Sequence, residues 1–190
     1  MRPSSRAPLN ATLGPVDTSQ PTPEHWLASE DGGCREARAE RLSWLVAASP
    51  PAELWLFPGG WLTKQQFEEA RYCFVYGQFV ASMLVGFAYV ERTLAAMFYG
   101  AGRNDLQRAM GNELIQEAER VGWLSTGDVA AFQSARALRN PLTHFRTPLH
   151  AELPDVRAFQ EDRDPYELAE SDAKHVLQVV LRLVAINAVA

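Results

Sequence analysis

The longest helical stretch of the chain runs from Thr63 to about Tyr99, its hydrophobic positions recurring at helical rather than strand spacing. Thr63-x-x-Gln66 has the form of a capping box, so one long helix is predicted to open there. Gly77 and Gly86 fall inside it, each marking close helix packing or a kink. Three further segments carry a 3.6-residue period. Asn104 is placed to cap a helix to about Val121, with Leu106, Met110, Leu114, Ile115 and Ala118 as its apolar stripe. Ser125-x-x-Asp128 is a second capping box, opening a helix through Val129, Phe132 and Leu138. Ser171-Asp172 precedes a helix whose Val176, Leu177, Val180, Leu181, Val184 and Ile186 form a broad apolar face.

The flanking text is weaker. Residues 1–34 are rich in Pro, Ser and Thr and are predicted to form a disordered tail. Over 35–62 a short amphipathic helix, with Leu42, Leu45 and Val46 on one face, ends at Pro50-Pro51. It gives way to Leu54–Trp61, too bounded by Pro and Gly for a long element and expected to cover the bundle as a loop. Thr147 to Asp164 is charged and punctuated by proline, which predicts an exposed loop. No segment alternates with a period of two. The expectation is an all-α, mostly antiparallel bundle of four to five main helices, with 63–190 as its principal domain.

One short stretch concentrates chemistry: Arg136-Ala137-Leu138-Arg139-Asn140-Pro141-Leu142-Thr143-His144-Phe145-Arg146. Proline removes a helical donor and biases Asn140 away from the αR region, so a break is predicted between Leu138 and Leu142. Asn140 then caps a new helix with Pro141 at its first position, and the helix start favours an anion such as phosphate. His144 lies about one turn beyond Arg139. Taken singly these residues suit helix ends; spaced as a set, they suggest a site.

Arg139-Asn140-x-x-x-His144 resembles the signature of the HEPN superfamily, helical domains in which Arg is followed four to six residues later by His, often with a polar residue directly after the Arg. The resemblance covers about residues 63–189 and implies a helical bundle. It also implies a metal-independent endoribonuclease whose cleft is shared by two copies of the chain, with roles in toxin systems, phage defence or RNA processing. RNA cleavage by the 2′-OH needs a base, an acid and a cation for the charge that builds on phosphorus. Imidazole is the side chain that exchanges protons near neutrality, so His144 suits either proton role, and Arg139 offers a planar fork to phosphate oxygens. Asn140 orients one of these groups or simply caps. Arg136 and Arg146 are candidate RNA-phosphate contacts, and Glu91, in the long apolar helix, is a candidate supporting polar residue. In HEPN toxins paired with a nucleotidyltransferase antitoxin, a Tyr commonly stands two residues after the His. Here that place holds Arg146, which speaks against adenylylation by such an antitoxin while leaving room for another antitoxin or defence partner. The alternative to an enzyme is a non-catalytic HEPN-like module that binds nucleotides or another protein.

Composition narrows the setting. A net charge of −5 confines any nucleic-acid contact to a local basic region. Cys34 and Cys73 are far apart, and His25, His144, His150 and His175 show no metal-ligand spacing, so no cofactor or metal is expected and a cytoplasmic location fits. Met1–Ser5 leads into polar, proline-rich text rather than a leader. Tyr72–Val90 is uncharged over 19 residues but carries Gln78 and Ser82 and lacks a lysine-rich flank. It reads as a buried bundle helix without stable membrane association, and a helix so apolar invites a second protomer.

Overall fold

The computed structural model of the chain describes residues 22–51 and 54–189. The chain divides after Arg35 into two units. Of the first, residues 23–35 belong to helix α1 (Pro23–Ala48). The tail expected over 1–34 is therefore helical from Pro23 onward; residues 1–21, including Met1–Ser5, lie outside the described residues. The helix starts here because Thr22 Oγ1 accepts the His25 N–H at 3.3 Å and Pro23 takes the first helical position, where no donor is needed.

The second unit holds the rest of α1 and helices α2 (Trp61–Val75), α3 (Phe79–Gly100), α4 (Gly111–Arg120), α5 (Thr126–Thr143), α6 (Pro154–Gln160) and α7 (Pro165–Ile186). The protein is all-α, as its hydrophobic period predicts. The core is built around α3, which packs most extensively against α2 and α7. Gly86 permits α7 to pack closely on α3: a Cβ there would sit 3.3 Å from Val176 Cγ1 and 3.4 Å from Val180 Cγ2. The apolar face expected of the last helix is buried at Val176, Leu177, Val180, Leu181 and Val184. By length and composition α3 alone among the described helices could cross a membrane, and half of its most apolar window is buried within the chain.

Several expected boundaries move. The helix predicted over 63–99 is two helices, because Gly77 takes a left-handed conformation (φ +76°) and the space its side chain would fill is taken by the Tyr166 hydroxyl and Arg41 Nη1. Arg41, buried on α1, closes this corner by donating from Nη1 to Val75 O at 2.8 Å. Thr63 is not a cap: α2 begins at Trp61 after Gly60, and Thr63 Oγ1 bonds back to Pro58 O and Gly60 O, each at 2.8 Å. Asn104 opens only a 3₁₀ turn (Asn104–Leu106), and Met110, expected in the stripe, is exposed ahead of α4. The loop expected over 147–164 contains α6, tied to α7 by a bidentate pair between Arg157 and Asp172 at 2.7 and 3.2 Å. Asp172 is thereby an interior residue of α7, whose cap is Asp164, accepting from the Tyr166 and Glu167 N–H groups. Two-residue strands β1 (Leu54–Trp55) and β2 (Ala188–Val189) pair antiparallel, so part of the expected covering loop is stitched to the end of the chain.

The Ser125 capping box forms as predicted. Ser125 Oγ accepts the Asp128 N–H at 3.2 Å, and the Asp128 carboxylate accepts the Ser125 N–H at 3.0 Å. Arg182 of α7 donates to the same carboxylate at 2.8 and 3.1 Å and holds its carboxyl well below the ordinary range. An acid depressed in the folded state stabilises it fully above the unfolded Asp value, near about pH 4, and loses that effect as the pH falls lower. Asp128→Asn is expected to cost about 1–2 kcal/mol at neutral pH. Thermal melts should show the gap between variant and wild type closing in strong acid, and a gap constant with pH would contradict this account.

Candidate functional site

Helix α5 carries Arg139 toward its C-terminal end, and the expected break between Leu138 and Leu142 does not occur. The helix continues through Pro141 to Thr143, so Asn140 is an interior residue rather than an N-cap. Position explains this. Pro141 lies in the last turn, where its missing N–H costs the one bond to Ala137 O instead of interrupting a long ladder. The turn is completed by Thr143 Oγ1 and the His144 N–H, which donate to Asn140 O at 3.1 and 3.0 Å. His144 is the C-cap, with extended backbone (φ −121°, ψ 128°) and an exposed side chain. The motif therefore stands at a helix C-terminus. The dipole there favours cations and gives phosphate no attraction, so any anion affinity must come from side chains.

Arg139 and His144 line one open groove of about 770 Å³. It is lined by a face of α3 bearing Glu91 and Arg92, by Gln107 and Met110, and by Gln66 of α2. Glu91 Oε2 accepts from Arg139 Nη2 at 3.0 Å, and the Arg139 guanidinium lies 5.3 Å over the Phe87 ring. These contacts fix the guanidinium while leaving its other N–H groups for a ligand. Glu91 is held from behind by α4. A Cβ on Gly111, the first residue of that helix, would lie 2.5 Å from Glu91 Oε1 and 3.2 Å from Cγ, so only glycine leaves the carboxylate this place. Two arginines against one carboxylate give the groove a local positive charge on a chain of net charge −5.

The other expected site residues stand apart. Asn140 is half-buried and does not line the groove. Arg136 reaches Gln133 Oε1 at 3.5 Å. Arg146 is committed to Glu152, donating from Nε to Oε2 at 2.8 Å, and this guanidinium holds the Glu152 carboxyl below the ordinary range. Among the described residues no three His, Cys, Asp or Glu side chains converge as a metal-binding group. Four polar groove residues were not expected from sequence: Arg92, Tyr99, Gln66 and Gln107. A signal for the first two exists, since Ala88, Glu91, Arg92, Ala95, Ala96 and Tyr99 form a stripe of small, charged and aromatic residues at helical spacing on an otherwise apolar helix.

Compared with models of protein families, with curated proteins and with solved structures, the chain matches none.

Proposed function

We propose that the chain is a HEPN-type endoribonuclease that cleaves RNA by attack of the 2′-OH, without a divalent metal. The observation that carries this reading is the convergence of His144, Arg139 and Glu91 on one groove. His144 takes the proton from the 2′-OH as O2′ attacks phosphorus, and the 5′-oxygen leaves with a proton. The products are a 2′,3′-cyclic phosphate and a 5′-OH. Arg139, oriented by Glu91, meets the charge that develops on the phosphoryl oxygens.

A single exposed imidazole serves one proton transfer at a time, and a second copy of the chain would supply the other. The apolar helix that suggested a partner already has half of its most apolar window buried within the chain itself. Support for a dimer comes instead from the segment after the motif, where Phe145 and Leu149 are 88% and 85% exposed. A homodimer seam there would bring two His144 side chains toward one cleft.

Purified protein should cut RNA in excess EDTA, leave DNA intact and yield cyclic phosphate ends, and light scattering at micromolar concentration should return a dimer mass. Cleavage abolished by EDTA, or DNA cut as readily as RNA, would remove the mechanism. A monomer mass with full activity would remove the shared cleft.

A further inference from the structure

Arg92 and Tyr99 have no part in the proton transfers, yet both line the same groove. They lie on one face of α3, seven residues and about 10 Å apart along the helix axis. Between them the face carries Ala95 and Ala96, which also line the groove, so nothing bulky on this face fills the space separating the cation from the ring.

The arginines around the motif differ in how far they are free. Arg139 is engaged by Glu91 and Arg146 by Glu152, while Arg136 leans on Gln133. Arg92 is exposed and has no ion pair among the described residues. Tyr99 is 62% exposed, and among the described residues no other ring stacks on it. A long exposed cation and an uncovered aromatic face along a positively charged groove are the two contacts by which proteins hold single-stranded nucleic acid: a charge for the phosphate and a platform for the base.

We infer that Arg92 and Tyr99 form a substrate subsite that holds the nucleotide adjoining the scissile phosphate, Arg92 on its phosphate and Tyr99 stacked on its unpaired base. This rests on the ribonuclease reading of the groove and adds a division of labour to it. Arg139, fixed by Glu91, acts on the transition state; Arg92, free to follow the strand, acts on binding. The pair therefore governs KM rather than kcat.

The test is binding of a single-stranded RNA carrying 2′-O-methyl groups throughout, which cannot be cleaved by 2′-OH attack, to wild type, Arg92→Gln and Tyr99→Leu over a range of salt. Cleavage of the unmodified strand is followed on the same proteins. Both positions are exposed, and Gln and Leu are good helix formers, so the fold is expected to persist. Arg92→Gln should weaken binding and lower the slope of log affinity against log salt by about 0.7, the loss of one phosphate contact on a single strand. Tyr99→Leu should weaken binding about 5- to 150-fold and leave that slope unchanged. In cleavage, KM should rise in both with kcat close to wild type. Wild-type cleavage with both variants binding as wild type would overturn the subsite and leave the nuclease standing. Binding that depends on Arg92 and Tyr99 without any cleavage of the unmodified strand would remove the nuclease and keep the subsite. Wild type that binds no strand would remove both.

Discussion

Replacing His144 by Ala is expected to lower RNA cleavage about 10²- to 10⁴-fold, the usual cost of losing a positioned proton carrier. The structure allows this loss to be read as chemistry. The His144 side chain is exposed, and its backbone N–H, which completes the last turn of α5 through Asn140 O, is retained by alanine. Melting temperature and circular dichroism should therefore stay close to wild type. Rates measured in excess EDTA on the same RNA decide the matter, and equal rates for the two proteins would leave a non-catalytic nucleotide-binding or protein-interaction module as the better account of the groove.

How much of this could be read from sequence depended on how local each determinant is. The Ser125–Asp128 cap has both halves within four residues, and it forms as written. The buried face of α7 follows from a period that five buried aliphatic residues repeat. Thr63 misled because its hydroxyl does make cap-like bonds, but backwards, to a turn set by the positive φ of Gly59 and Gly60. Pro141 misled because its cost depends on how much helix follows, and only two helical residues do. The pairing of Leu54–Trp55 with Ala188–Val189 joins distant parts of the chain, which no local period reports. At the site, the five-residue spacing from Arg139 to His144 was legible as a pair. That Glu91, 48 residues away, would be the partner of Arg139 follows from the packing of α3 against α5, and the role of Gly111 in holding Glu91 follows from α4; neither has a local signature.

Replacing Arg139 by Lys should lower kcat about 10²- to 10³-fold, the scale seen when one preorganised donor to a developing oxyanion is lost. Lysine keeps the charge but not the planar fork. It can satisfy Glu91 or reach a phosphoryl oxygen, whereas the guanidinium can donate to Glu91 from Nη2 and still present its other N–H groups to the groove. A structural role alone would give a different result, since breaking the Glu91 pair and the contact with Phe87 would lower stability without singling out kcat. Gly111→Ala separates the two. It leaves Arg139 chemically intact but places a methyl where Glu91 Oε1 now lies at 2.5 Å, forcing the carboxylate off its position and with it the guanidinium. A displacement of this kind, about 1 Å, can cost on the order of 100-fold in rate. The expected result is a fall in kcat for both variants, smaller for Gly111→Ala, with KM changed little in either. Full activity in Arg139→Lys would show that a point charge suffices and that the fork held by Glu91 has no catalytic part.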